Sequence, residues 1–360
     1  MKKAIFSIIV VLMLSFASTA NAYYDPQSVT NNRFGIHILE AQDIEDAAKL
    51  VNSQGGKWGY VTLVIREDQR DVGQWNRFFK TLNQNHLIPI VRIATVASDE
   101  NWRKPVVSEA QNWADFLDSL LWPTRNRYVV LFNEPNHAKE WGGEINPKEY
   151  AQITQEYAKA LKSKTKQFYV LNAGFDMASP QGIETADAIW YWSEMDIEIP
   201  GIFNSYDGWV SHSYPNPGFI QSPMSSGRTS IAGYRYEQDY LYNHFGVYKK
   251  PVFITETGWR VGPLTEKEVS DYYKTAFESI WTDNNLIAVT PFLLNYPQDV
   301  FSSFSWKNGD GSFRSQYGVV AGITKAQGEP ELAPMTYFGK LRDMVIVKPQ
   351  KLTSIPNLLF

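Results

Sequence analysis

Two glutamates stand at the ends of apolar stretches that have the composition of buried β-strands. Glu134 lies in the segment YVVLFNEPN, and Glu256 lies in the segment PVFITETGW. Two facing carboxyl groups can split a glycosidic bond, because one protonates the leaving oxygen while the other attacks the sugar or activates a water. Either glutamate alone is also compatible with a residue that only begins a loop. The hypothesis therefore depends on whether the fold brings the two groups together.

Short runs rich in β-branched and aromatic residues alternate with segments of helical spacing along the chain. The strand candidates are residues 34–38, 60–65, 88–93, 128–132, 168–173, 208–212, 252–255 and 288–293. Their spacing of about 37 residues matches one strand and one helix per unit of an eight-unit parallel barrel. The sequence therefore predicts an α/β fold, specifically a single-domain (β/α)8 TIM barrel.

A barrel of this kind carries its catalytic groups at the carboxyl ends of the strands. Glu134 would end strand 4 and Glu256 would end strand 7, and strands three apart in a ring of eight face each other across the mouth. The segment WVSHSYP gives His212 and Tyr214 the same position at the end of strand 6. His212 is also compatible with a buried structural histidine. These positions predict a single cluster at the mouth.

Taken together, these segments resemble the clan A glycoside hydrolases, with a pattern similar to families 5 and 39, over essentially the whole predicted barrel. The resemblance implies that Glu134 is the acid/base, that Glu256 is the nucleophile and that the anomeric configuration is retained. It also implies that Asn133 contacts the sugar 2-hydroxyl. His212 would orient the acid/base or contact sugar, and Tyr214 would donate a hydrogen bond to Glu256.

Further polar residues are candidates for substrate binding at the same end of the barrel. Arg92, near the end of strand 3, resembles the arginine that many clan members place beneath the nucleophile, although a structural ion pair explains it equally well. His37, on strand 1, could point into the mouth or into the barrel interior. Asp176, after strand 5, is a possible polar contact.

Aromatic residues in the loops are candidates for stacking against a sugar ring. Trp306 follows strand 8 and could lie under the sugar at the reacting subsite, with Tyr296 competing for that role. Trp141 follows Glu134, in a stretch that resembles a loop of some xylosidase-like members, and Trp259 follows Glu256 closely. Plain loop packing is the alternative for each.

The first residues predict export of the chain. Lys2 and Lys3 precede an apolar stretch, and Ala20-Asn21-Ala22 has the small-residue pattern of a cleavage site, so residues 1–22 are interpreted as a signal peptide. We expect a secreted or periplasmic protein without stable membrane insertion after cleavage. Residues 23–344 would form the catalytic domain, and 345–360 a tail that packs on the barrel or extends from it.

Composition argues against several other classes of protein. The formal charge is −4, and no basic patch indicates nucleic acid as a partner. The chain has no cysteine, and its five histidines lack the spacing of metal ligands, which disfavours a metal-dependent barrel hydrolase. We therefore expect a monomer that needs no cofactor or metal and that acts on a polysaccharide or oligosaccharide.

The function predicted from the sequence is hydrolysis of O-glycosidic bonds, which we expect to be β-linked, by double displacement. An exo-acting β-glycosidase is an alternative to an endo-acting glycanase. A catalytically inactive, secreted carbohydrate-binding barrel is an alternative from a different class, although both glutamates are present.

Overall fold

The computed structural model describes residues 22–98, 100–296 and 301–334. Residues 1–21 of the predicted signal peptide, the end of the predicted catalytic domain from 335 and the predicted tail at 345–360 lie outside the described residues. The strands of the central sheet are β1 (Gly35–His37), β2 (Gly59–Arg66), β3 (Leu87–Ala94), β4 (Arg127–Leu131), β5 (Phe168–Leu171), β6 (Trp209–His212), β7 (Val252–Glu256) and β8 (Leu286–Val289). Each of them overlaps one of the runs predicted from the sequence. A short antiparallel pair, Ala97–Ser98 with Asn101–Trp102, follows β3 and was not predicted.

Helices alternate with these strands in the order expected for repeated βα units. They are α1 (Ile44–Val51), α2 (Val72–Gln84), α3 (Ala110–Asp118), α4 (Pro147–Lys164), α5 (Ala188–Glu198), α6 (Gly233–Phe245), α7 (Glu266–Thr275) and α8 (Ser315–Ala321). None of the described helices is long and apolar enough to cross a membrane.

The strands form a parallel central sheet in two parts. One part has the order β1-β2-β3-β4-β5, and the other has the order β6-β7-β8, with every neighbouring pair parallel. Two single bridges join the parts, from Phe34 to Val289 beside β1 and β8, and from Leu171 to Gly208 beside β5 and β6. The α/β class is confirmed, but the hydrogen-bonded ladder does not run continuously around a closed barrel.

Burial explains why these segments form strands and helices. Every residue of β4 and β5 is buried, as expected for parallel strands covered on both faces. The helices bury one face only; in α2 this face is Trp75, Phe78, Phe79 and Leu82. The helices and strands share one apolar cluster, and a separate cluster, which includes Tyr60, Tyr128, Tyr169 and Phe253, lies among the strands. A cavity lies beyond the carboxyl ends of these strands.

Candidate active site

Glu134 lies just beyond the carboxyl end of β4 and Glu256 lies at the carboxyl end of β7, as the sequence predicts. Glu256 is the last residue of β7 and is 1% exposed, and Glu134 is 4% exposed. Beyond β4 the backbone turns sharply, because Phe132 and Glu134 adopt left-handed conformations with φ of 73° and 23°. Such angles are uncommon outside glycine, and they persist only where the surroundings hold them. The turn presents the Glu134 side chain to the space above the sheet.

His212 brings the two carboxyl groups together. Its Nδ1 lies 2.7 Å from Oε1 of Glu134 and 3.9 Å from Oε2 of Glu256. One oxygen of each glutamate and one ring nitrogen of His212 all lie within 4.8 Å of one another. Burial lowers the pKa of His212, but the charge of Glu256 and the hydrogen bond and charge of Glu134 outweigh burial, so the pKa is raised. The two carboxyl groups therefore favour the protonated form of the imidazole that lies between them.

Two further groups hold Glu256 in its ionised form. Arg92 donates from Nη1 to Oε1 at 2.8 Å, and the Tyr214 hydroxyl donates to Oε2 at 3.1 Å. Burial raises the pKa of Glu256, but the positive charges of His212 and Arg92 together with the Tyr214 hydrogen bond leave it below its ordinary value. The site thus contains a buried, ionised carboxylate at neutral pH. The predicted partners Arg92, His212 and Tyr214 are all in contact with a glutamate.

Asn133 belongs to the same network and leads to a third carboxyl group that the sequence did not reveal. Arg92 donates from Nη1 to Oδ1 of Asn133, and Asn133 also hydrogen-bonds to Glu140. The carboxyl group of Glu140 is enclosed although the residue is partly exposed. Burial, together with the charge of Glu134, raises the pKa of Glu140 to about 7 despite the attraction of Arg92. Nothing in its loop sequence distinguishes Glu140 from a surface acid.

His37 is buried beside this network and does not line the cavity described below. The residue is 1% exposed, and neither ring nitrogen has a hydrogen-bond partner among the described residues. Its ring packs edge-on against Phe292, with ring centroids 5.3 Å apart. Burial lowers the pKa of His37 to about 3, so the imidazole is neutral at physiological pH. His37 therefore lies beneath the cavity wall, close enough to Glu256 and Arg92 for their charges to act on its pKa.

A cavity of about 340 Å³ opens beside Glu134 and beside Tyr214, the hydrogen-bond partner of Glu256. Its aromatic lining residues are Phe219, Phe292, Phe301 and Phe304, and its polar lining residues are Glu134, His137, Asp176, Tyr214, Asn216 and Arg260. The rings contact one another edge-on; Phe219 and Phe304 have centroids 5.2 Å apart, and Tyr214 and Phe219 have centroids 5.1 Å apart. An apolar cavity with a few convergent polar groups is the usual form of a small-molecule site.

The three tryptophans predicted to bind sugar lie in the core, which corrects that expectation. Trp306 is 0% exposed and packs on Tyr273 with ring centroids 4.8 Å apart. Trp141 is 0% exposed and donates from Nε1 to Glu149 at 2.9 Å. Trp259 is 1% exposed and donates from Nε1 to the carbonyl of Gln221 at 2.7 Å. None of the three has a ring face open to a ligand.

The aromatic surface of the cavity comes instead from phenylalanines. Phe292, which was placed inside strand 8 from the sequence, lies just after β8, and Phe301 and Phe304 come later in the chain before α8. Tyr296, the second candidate for that role, is half-buried, does not line the cavity and has its ring centroid 5.5 Å from that of Phe301. Neither of the two residues predicted for this role, Trp306 and Tyr296, lines the cavity.

Asp176 lines the cavity, as considered from the sequence, and it does so as part of a pair with His137. Nε2 of His137 lies 3.0 Å from Oδ2 of Asp176, and Ser179 donates to the same carboxylate oxygen at 2.7 Å. Burial raises the pKa of Asp176, but hydrogen bonds from His137, Ser179 and a backbone N–H lower it overall. Burial lowers the pKa of His137, but Asp176 and Glu134 raise it overall.

Glu134, His212 and Glu256 are also close enough to share a metal ion. However, Nδ1 of His212 already shares a hydrogen bond with Oε1 of Glu134. When this nitrogen donates that bond, it has no lone pair left for a metal. The guanidinium of Arg92 adds a further positive charge beside Glu256. The arrangement of donors suits an ion-paired site better than a metal site.

The fold is similar to that of solved glycoside hydrolases. A family 39 glycoside hydrolase from the gut symbiont Bacteroides cellulosilyticus WH2 matches 83% of this chain with a TM-score of 0.57 and 13% identity, and the match spans only 64% of that structure. GH5_18 from Streptomyces cattleya, in complex with Manb1-4GlcNAc, matches with a TM-score of 0.57 and 14% identity over 81% of this chain and 80% of its own.

A GH128 (subgroup II) endo-beta-1,3-glucanase from Sorangium cellulosum matches with a TM-score of 0.52 and 13% identity, over 84% of this chain and 96% of its own. No protein-family model matches the sequence, and no curated protein matches it. The predicted resemblance to clan A glycoside hydrolases is confirmed at the level of the fold, since the structures of families 39, 5 and 128 share it.

Proposed function

We propose that the protein is a retaining glycoside hydrolase with Glu134 as acid/base and Glu256 as nucleophile. One observation carries the proposal: an oxygen of Glu134, which lines the aromatic cavity, lies within 4.8 Å of an oxygen of Glu256. Retaining enzymes hold their carboxyl groups about 5–5.5 Å apart, whereas inverting enzymes need about 6.5–9.5 Å to admit a water. The spacing supports double displacement.

In the first step, Glu134 donates a proton to the glycosidic oxygen while an oxygen of Glu256 attacks the anomeric carbon, and the carbon–oxygen bond to the leaving sugar breaks. His212 holds Oε1 of Glu134, which leaves Oε2 to carry that proton. Arg92 and Tyr214 keep Glu256 ionised and oriented for attack. In the second step, ionised Glu134 takes a proton from water, and the resulting hydroxide attacks the same carbon and releases Glu256.

The remaining features of the protein are part of the same proposal. The strand order and the two bridges between the sheet parts support a (β/α)8 barrel. The first 22 residues favour secretion or a periplasmic location. We propose a β-linked polysaccharide or oligosaccharide as substrate, which is consistent with the endo-beta-1,3-glucanase named among the similar structures.

The experiment that tests the mechanism follows the configuration of the product. Purified protein is incubated with a panel of polysaccharides and aryl β-glycosides, and the first-formed anomer is read by proton NMR. We expect β-anomers from β-linked substrates, and α-anomers would show inversion and contradict the role of Glu256. The Glu256→Gln variant should keep its fold by circular dichroism and lose at least 1,000-fold in kcat, on the order of the loss when a covalent nucleophile is removed.

The inactive carbohydrate-binding barrel that the sequence also allowed is not favoured by the site. Both carboxyl groups, of Glu134 and of Glu256, are present and have hydrogen-bond partners. Binding of an oligosaccharide without turnover by the wild-type protein, across the whole substrate panel, would support the inactive barrel.

A further inference from the structure

Arg260 lies at the same mouth as the two glutamates but is not used by the mechanism. It follows Glu256 by four residues, and its side chain lines the cavity. Its backbone N–H donates to the carbonyl of Phe219 at 3.1 Å, which fixes the start of the loop after β7 against the loop after β6. The residue is half-buried. The backbone of Arg260 is therefore held between two loops of the cavity wall.

The other charged groups around this cavity already have partners within the protein. Glu134 is held by His212, and Asp176 is held by His137. Among the residues that the structure describes, the Arg260 guanidinium has no ion pair and no side-chain hydrogen bond. A partly buried cation has lost part of its hydration, so pairing with an anion stabilises it more than it would stabilise a fully exposed cation.

Other arginines of the chain form ion pairs with acidic side chains. Arg92 pairs with Glu256, Arg228 pairs with Asp187 at 2.7 Å, and Arg235 pairs with Asp283 at 2.7 Å. Arg260 differs from them because none of the described acids, including Glu134 and Asp176 in the same cavity wall, forms an ion pair with it. The planar guanidinium fork matches a carboxylate or sulfate group, which it can bind through two parallel hydrogen bonds.

We propose that Arg260 binds an anionic substituent of the substrate, so that the cavity takes an acidic glycan in which a sugar beside the cleaved bond carries a carboxylate or a sulfate ester. The inference rests on the proposed glycosidase function and narrows its substrate class. The neighbouring rings of Phe219 and Phe304 exclude water and strengthen the pairing, because the attraction between charges grows as the surroundings become less polar. The anion reaches Arg260 while the sugar ring lies against the aromatic wall.

The test compares acidic chains with the same chains after removal of their charge. Uronic-acid-containing oligosaccharides are used before and after carboxyl reduction, and sulfated oligosaccharides before and after desulfation, so that the two arms identify the anion. We expect the wild-type protein to favour the acidic member of one pair by about 10-fold or more in kcat/KM, as a charge-assisted bidentate contact would give. The Arg260→Gln variant should cleave the acidic and the uncharged member of that pair with about equal kcat/KM.

The matched control removes the positive charge of an arginine outside the cavity. Arg77 is exposed on the outer helix α2 without an ion pair among the described residues, so Arg77→Gln should keep the wild-type ratio. Equal kcat/KM for charged and uncharged chains, or a ratio that survives in Arg260→Gln, would overturn the inference and leave the glycosidase assignment intact. If no glycan is cleaved, the proposed function fails instead. Calorimetric binding of the same pairs to the Glu256→Gln variant then decides whether Arg260 selects the acidic member.

Discussion

The Cβ atom that Gly174 lacks would lie 2.1 Å from Cδ2 of His212. The glycine follows β5 and leaves the space in which the His212 ring lies between the two glutamates. A Gly174→Ala substitution must therefore displace the imidazole, because real Cβ atoms do not approach other atoms so closely. Since His212 holds Glu134, we expect kcat for any cleaved glycoside to fall by about 100-fold, the typical size of a general acid–base contribution.

The control for this prediction is Gly309→Ala, where an added Cβ meets nothing within 4 Å. That variant should keep both stability and kcat. Gly174→Ala should retain its far-ultraviolet circular dichroism while losing kcat. An unchanged kcat in Gly174→Ala would show that the position of His212 does not matter for turnover.

A second prediction concerns the ionisation of Glu256. The positive charge of Arg92 is one cause of its lowered pKa, after the opposing effect of burial and the charge of His212. The Arg92→Gln variant should therefore raise the pKa of Glu256 towards its ordinary value or above. A nucleophile must be ionised, so the acid limb of kcat/KM against pH should move to higher pH, whereas Arg92→Lys should move it less.

This prediction separates an electrostatic role of Arg92 from a purely structural one. A loss of packing would lower kcat/KM at every pH without moving the limb. A limb that moves to lower pH in Arg92→Gln would contradict the assignment of Glu256 as the group that must be ionised.

The residues that sequence reasoning placed at the site share one property. Glu134, His212 and Glu256 each end a strand or follow one closely, and parallel strands bring their carboxyl ends to one face of the sheet. Their proximity therefore followed from counting strands, without knowledge of the loops. The eight strands were predictable because buried parallel strands are continuously apolar.

Residues from the loops could not be placed in the same way. Trp141 and Trp306 were predicted to bind sugar, but the direction of a loop side chain depends on packing against distant elements, such as Glu149 for one and Tyr273 for the other. Glu140 and Arg260 were missed for the same reason. Gly174 gave no signal either, because its role is the space it leaves for a residue on another strand.

A third prediction tests the aromatic wall. Phe304 lines the cavity, with its ring centroid 6.2 Å from that of Tyr214 and 6.3 Å from that of Phe292. The Phe304→Leu variant keeps an apolar side chain but loses the flat face that can cover a sugar ring. We expect KM to rise about 5-fold to 10-fold with a smaller change in kcat, as expected when binding energy of about 1 kcal/mol is removed.

The matched control is Phe313→Leu, because Phe313 is 40% exposed and stacks on Tyr317 away from the cavity. Its kinetics should equal those of the wild type. A fall in kcat alone in Phe304→Leu, with KM unchanged, would show that the ring supports the catalytic groups and does not bind substrate.

The last prediction concerns Glu237, a buried acid behind the site. Its carboxyl group faces Nε1 of Trp209 at 2.6 Å and the hydroxyl of Ser211 at 2.6 Å. Burial raises the pKa of Glu237 to about 7 although both hydrogen bonds lower it. The folded protein therefore holds this proton more tightly than the unfolded chain, whose carboxyl group has its ordinary pKa near 4.5. Stability from this group is complete below that value and is lost as pH rises towards 7.

Glutamine reproduces the protonated form of Glu237, since its oxygen can accept from Trp209 and its amide can donate to Ser211. Glu237→Gln should therefore match the wild type in free energy of unfolding at pH 4.5 and exceed it at pH 7.5 by up to about 3 kcal/mol, at 1.36 kcal/mol for each pKa unit. Urea unfolding at both values measures the difference, and Glu278→Gln, which changes an exposed acid, should not alter the pH dependence. A Glu237→Gln variant that is destabilised more at pH 7.5 than at pH 4.5 would mean that the carboxylate is ionised in the folded protein and that its charge, rather than its proton, supports the strand beneath His212.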